Sequence, residues 1–432
     1  MSIQIHANTL YVLSGCMVLG AAAGLIGSFT FLRKRSLIGD ALAHAALPGI
    51  CVAFMLTGTK DPLWILAGAT LSCWLGAISI EAIVRHTRVK EDSALGMVLS
   101  VFFGVGILLL THIQKSGNAA QAGLDKFSFG QAAAMVPKDV LVIGGTGLAL
   151  ALFVLLAYKE LKVISFDPEF AAGLGIPRRF IEMALATMVV LAVAIGLQAV
   201  GVVLMAALLV TPAAAARYWT ERLSILLLLA AGFGACSGAI GAGISYAAPQ
   251  MPTGPWMVVA VTGFFAVSLL AAPRRGIAAR LVRQWRIRRR TARENILRTL
   301  YVLGERDGEL ARGRTISALQ EHRSMNTGAL RRAIERLSSE GLVAENRHGA
   351  FALTEAGIAQ AARLTRLHRL WELYLTRKLE LAADHVHDDA EEIEHILTPE
   401  LEARLIEVLG APEADPHARP IPGLHPTEGR PA

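Results

Sequence analysis

Apolar runs dominate the first 272 residues. Stretches long enough to cross a hydrocarbon layer of about 30 Å fall near residues 9–32, 42–58, 62–84, 93–113, 139–158, 180–197, 199–216, 223–247 and 255–272. They predict an all-α polytopic membrane protein with about nine spans. The first run, Leu10 to Leu32, exceeds a signal-peptide core, and the basic Arg33-Lys34-Arg35 follows it in place of a cleavage site, so it is expected to be retained. Arg33, Lys34, Arg35, Arg85, Arg88, Lys90, Lys159, Lys162, Arg178, Arg179, Arg217 and Arg222 fall on one side of these spans, against Lys60, Lys115, Lys126 and Lys138 on the other. The asymmetry predicts an N-terminus outside and a cytoplasmic C-terminal end, and the expected location is the bacterial inner membrane.

Past residue 272 the pattern changes. Of the 42 Lys and Arg and 35 Asp and Glu, 28 lie in residues 1–272 and the other 49 in the 160 residues that follow. The expected organisation is a transmembrane domain (1–272), a basic linker (273–292), a winged helix-turn-helix (293–353), a helical domain (354–426) and a short tail (427–432). In the linker "PRRGIAARLVRQWRIRRRTAR", Leu281, Val282, Trp285 and Ile287 suit a membrane surface. Within the spans, "GCMVLGAAAGLIG" and "GFGACSGAIGAG" carry small residues at a spacing that lets helices approach closely. All four cysteines sit in apolar runs without CxxC spacing, which reads as packing.

The winged-helix expectation rests on periodicity. Ile296, Leu297, Leu300 and Leu303 mark one helix, "TISALQEH" a short second, and Asn326 caps "TGALRRAIERLSSEG"; "LVAENRHGAFAL" then alternates around a His-Gly turn. In that layout Arg323, Arg331, Arg332, Arg336 and Arg347, with His348, are candidate DNA-phosphate contacts. A solvated basic helix, or a winged helix used for protein contact, fits the same residues. Farther on, His368 and Glu372 are four apart, and His387, Glu391, Glu394 and His395 share one face of a second helix. Three imidazoles and three carboxylates suffice for one or two transition-metal ions; a charged surface with i, i+4 contacts is the alternative.

One stretch of the membrane half carries chemistry of its own. "GDALAHAALPG" (39–49) puts Asp40 and His44 on one helical face just inside the Arg33-Lys34-Arg35 cluster. They are either an interfacial cap with a packing histidine or two ligands on an ion path. Carboxylate plus imidazole suits Mn, Fe or Zn, and Pro48-Gly49 is expected to break the helix. No GxxxxGK[ST] occurs, so ATP hydrolysis through such a loop must come from another polypeptide. "FDPEFAAGLGIP" (166–177) reads as a helix capped by Asp167 with Pro168 in its first turn.

With these blocks in view, "GDALAHAALPG", "KEDSALGMVLS" (90–100), "FDPEFAAGLGIP" and "VGVVLMAALLVTPAAAAR" (200–217) resemble, in order, the permease subunits of bacterial ABC transporters for zinc, manganese and iron. The resemblance implies that Asp40 and His44 line the metal path. It also implies that residues 167–176, including Asp167, Pro168, Glu169, Gly173 and Gly175, form the helix that docks into a separate ATP-binding subunit. Implied partners are a second permease and an extracytoplasmic metal-binding protein.

Residues 293 to 426 resemble metal-dependent repressors of the diphtheria toxin repressor type through "RENILRTLYVL", "LTEAG", "LHRLWELYL", "VHDDAEEIEHIL" and "PHARPIPG". That likeness implies a metal-binding and dimerisation domain, with His368, Glu372 and His387 at one metal site and Glu391, Glu394 and His395 at the other. Glu391 leans toward manganese. Asn295, a weak ligand, stands at the first-helix ligand position. The combined expectation is a permease subunit of an ATP-driven importer of Mn, Zn or Fe, itself no enzyme, with a fused metal-sensing domain. A membrane-tethered transcription regulator that binds DNA is the alternative.

Overall fold

The computed structural model describes residues 7–35, 37–59, 61–115, 132, 135–248, 251–322, 326–379, 399–410 and 412–423. The chain divides into two compact units, Met1–Arg280 and Leu281–Ala432.

The first unit holds helices α1 (Ala7–Leu32), α2 (Ile38–Thr57), α3 (Pro62–His86), α4 (Glu91–Lys115), α5 (Pro137–Leu156), α6 (Tyr158–Phe166), α7 (Pro168–Gly173), α8 (Arg178–Ala199), α9 (Val202–Arg217), α10 (Leu223–Ala247) and α11 (Thr253–Ala271). Among the described residues, eight helices (α1 to α5, α8, α10 and α11) contain a stretch long and apolar enough to cross a membrane. The seventh expected window differs. Gly201, at φ +91°, separates α8 from α9, and α9 has only 16 residues. Its Met205, Leu208, Leu209, Ala213, Ala215 and Ala216 are buried against protein. A helix enclosed by its neighbours need not match the bilayer's thickness, because the surrounding helices shield its ends.

Local chemistry fixes the helix ends. Asp61 caps α3 by accepting from the Leu63 amide at 3.0 Å, and Lys138 at the start of α5 binds the same carboxylate at 2.5 Å. The Lys138 hydrogen bond, followed by that amide, holds the Asp61 carboxyl below the usual aspartate range.

The expected break at Pro48 does not occur: α2 runs straight through it. Proline removes one intrahelical donor, and α3 supplies donors beside the gap, with Ser72 Oγ donating to the Ala45 carbonyl at 2.6 Å and Cys73 Sγ to Leu42 O at 3.1 Å. The carbonyl that Pro48 leaves without its helical donor is that of His44; these two contacts instead tie α2 to α3 at neighbouring residues. Gly49 and Gly68 let the two backbones meet, since a Cβ on either would overlap the other's carbonyl.

The second unit begins within α12 (Ile277–Asp307) and continues through α13 (Ile316–His322), α14 (Thr327–Ser339), β1 (Val343–Glu345), β2 (Phe351–Leu353), α15 (Glu355–Lys378) and α16 (Pro399–Leu409). The basic stretch expected as a linker is therefore helical from Ile277 onward. Asn326 caps α14 by accepting from Gly328 N at 2.9 Å. β1 and β2 pair antiparallel, Val343 opposite Leu353 and Glu345 opposite Phe351. Ile296, Leu297, Leu300, Leu330, Ile334 and Leu337 form the core with the two strands. This is the winged-helix order of elements.

Candidate functional site

Asp40 stands in the first turn of α2, where a carboxylate favours the helix dipole, and His44 follows one turn later. His44 Nε2 lies 3.7 Å from Asp40 Oδ1. Its ring meets Phe103 of α4 edge-on with centroids 4.8 Å apart, and its buried Nδ1 has no hydrogen-bond partner. Two metal bonds of about 2.1 Å span at most about 4.2 Å, so one ion fits between these donor atoms. Among the described residues, no group of three or more His, Cys, Asp or Glu side chains is placed to hold a metal ion. Around this end of α2, Arg33 pairs with Glu182 at 2.5 Å and Arg35 with Glu91 at 3.0 Å, so these cations are already engaged.

Asp167 Oδ1 accepts from Phe170 N at 2.9 Å, and Pro168 opens the short α7. Glu169 is exposed. Gly175 adopts φ +73°, a left-handed conformation that glycine takes without cost, whereas a Cβ on Gly173 would meet nothing within 4 Å. The sequence reading missed three apolar side chains here, Phe166, Phe170 and Leu174, each more than half exposed. Helical spacing does not reveal them, because α6 ends at Phe166 and α7 begins only at Pro168.

In the second unit His368 and Glu372 are buried side by side on α15, Nε2 to Oε1 at 3.0 Å. Arg298 of α12 reaches His368 Nδ1 at 2.5 Å. A guanidinium only donates, so Nδ1 accepts and Nε2 carries the hydrogen directed at Glu372. An ion on Nε2 requires that hydrogen to leave, and metal-bound imidazoles normally hand their second N–H to an acceptor. Arg298 and a metal ion are thus competing cations on one imidazole. The donor pair suits a divalent ion once Arg298 withdraws. A cavity of about 320 Å³ opens beside it, lined by His322, Arg369 and Asp415 among others. Asn295 is half-buried on α12, its backbone carbonyl accepting from Thr299 Oγ1 at 2.8 Å. His387, Glu391, Glu394 and His395 lie outside the described residues, as does Arg323.

Arg331 pairs with Glu335 at 3.2 Å, Arg332 donates to the Gly328 carbonyl at 3.0 Å, and Arg336 and Arg347 are exposed. Arg298, which the sequence reading also missed, was detectable in principle. With Glu294 and Glu305 it forms a polar row through an otherwise apolar helix face, and such a row needs buried partners.

Eight long apolar helices among the described residues, with glycine-mediated contacts between them, define a polytopic membrane protein, and one of the eight carries the carboxylate-imidazole pair. The chain belongs to the ABC 3 transport family, whose model matches residues 6–272. Residues 354–423 match the iron dependent repressor, metal binding and dimerisation domain. It is similar to the manganese transport system membrane protein MntC of Bacillus subtilis (strain 168), 45% identical over 377 residues, 87% of this chain and 86% of that one. It is also similar to the zinc transport system membrane protein TroC of Treponema pallidum (strain Nichols), 48% identical over 64% of this chain and 92% of that protein. Among solved structures it resembles PsaBC from Streptococcus pneumoniae in complex with Fab, with TM-score 0.57 and 31% identity over 63% of this chain and 95% of that chain.

Proposed function

We propose that this chain is the permease subunit of an ATP-driven importer of a divalent transition metal, manganese or zinc before iron, and that the ion passes Asp40 and His44. The observation that carries the proposal is the i, i+4 pair itself: an oxygen and an imidazole nitrogen 3.7 Å apart at the end of a span, matched to an ion that takes both ligand types. In this reading a separate ATP-binding subunit seats on α7, against Phe166, Phe170 and Leu174, with Glu169 and the Asp167-Pro168 cap shaping the contact. A second permease completes the pathway and an extracytoplasmic metal-binding protein delivers the ion. The N-terminus faces outward and the second unit lies in the cytoplasm of a bacterial cell. There His368 and Glu372, with His387, Glu391, Glu394 and His395, take up the imported metal, so that internal metal reports back on its own uptake. Regulation of DNA by the tethered winged helix is the second reading, favoured by the α13-α14-β1-β2 layout.

The deciding experiment is uptake of radiolabelled manganese and zinc by cells that carry the chain with its ATPase. Asp40→Ala and His44→Ala are each expected to abolish uptake while the protein stays in the membrane at normal level. Wild-type uptake by both variants would overturn the path.

A further inference from the structure

Between α12 and α14 lies a cleft of about 490 Å³ bordered by Arg288, Arg289, Arg290 and Arg293 on one wall and Arg332 and Arg336 on the other. Ala292, Ala329 and Ala333 line it too, and these small side chains leave it open. Two of the arginines are matched by carboxylates, Arg293 by Glu340 at 2.9 Å and Arg290 by Glu294 at 2.8 Å. Arg288, Arg289, Arg332 and Arg336 have no carboxylate partner among the described residues. Arg289 lies over the Trp285 ring. Loss of water, then the like charges of Arg336 and Arg332, weakens its hold on its proton. Four unmatched cations on facing walls call for an anion with several acceptor oxygens.

The same face of α12 indicates where that anion comes from. Leu281, Val282 and Trp285 precede Arg288, Arg289 and Ala292 at helical spacing, and all three apolar side chains are about half exposed or more. Trp285 is fourteen residues past the end of α11, so the last apolar span tethers the cleft close to a bilayer. We infer that the α12–α14 cleft binds the phosphate headgroup of an anionic phospholipid, with Leu281, Val282 and Trp285 against the lipid. Two arginines of the helix that would read DNA, Arg332 and Arg336, are then engaged by the membrane instead. The inference is independent of which ion the permease carries.

The test is hydrogen exchange on the full chain in nanodiscs of phosphatidylcholine alone, of phosphatidylcholine with phosphatidylglycerol, and of phosphatidylcholine with added inorganic phosphate or duplex DNA. Phosphatidylglycerol should protect residues 281–293 and 327–340, and neither phosphate nor DNA should do so in the neutral discs. Arg289→Ala and Arg336→Ala should each weaken the protection roughly fivefold, whereas Arg347→Ala should leave it intact. Unchanged exchange in α15 would show that the variants fold. Equal protection in both lipid discs, equal protection by phosphate, protection by DNA alone, or no loss in the two variants would each overturn the inference.

Discussion

The two units are held together in opposite ways. In the membrane unit α1 meets α10 backbone to backbone: a Cβ on Gly20 would strike the Gly234 carbonyl, one on Gly234 the Gly20 carbonyl, and one on Gly238 the Cys16 carbonyl. In the second unit branched aliphatic side chains fill the core, and ion pairs tie down its far end. Arg363 and Arg366 share Glu402, and buried Arg369 reaches Glu305 at 2.5 Å and Asp415 at 3.6 Å. The medium explains the difference. Lipid tails are as apolar as leucine, so helices gain little by burying bulk there and gain instead by close approach. In water, removing large apolar side chains from solvent is the main driving force.

That contrast can be broken by substitution. The largest effect is expected for Gly234→Val, which places a branched side chain on a carbonyl that cannot move aside. The cost should exceed the roughly 1–3 kcal/mol usual for overpacking, read as loss of monodisperse protein from detergent extracts. In the second unit Arg369→Met should destabilise by about 3–5 kcal/mol, because it strands Asp415 and Glu305 without their cation; faster hydrogen exchange in α15 would report it. Arg298→Met removes the competing cation from His368 and should tighten manganese binding by the full chain about tenfold, measured by calorimetry. Unchanged or weaker binding would show that the guanidinium does not compete. The smallest effect, about 1 kcal/mol, is expected from Asn326→Ala at the α14 cap, visible as earlier melting of the second unit.

What could be read from the sequence was mostly local. Helix α2 with Asp40 and His44 on one face, the caps at Asp167 and Asn326, and the order of elements from α12 to β2 follow from spacing and end signals within a few residues. Contacts between distant segments were not legible. Nothing near Pro48 says that Ser72 and Cys73 will bind α2 to α3 beside it, and nothing near His368 says that Arg298, seventy residues earlier, will occupy its ring nitrogen. The seventh expected window, which holds α9, illustrates a related limit. Hydropathy registers how apolar α9 is, but an apolar helix facing lipid and one facing protein look alike in sequence.

The glycine contacts also constrain motion. Two helices whose backbones touch cannot slide or roll without collision, so α1 with α10 behaves as one stiff body and α2 with α3, joined at Gly49 and Gly68, as another. Packed elements of this kind move as discrete units rather than deforming smoothly. Asp40 and His44, fixed to α2, would therefore share whatever movement α3 makes in the transport cycle proposed above.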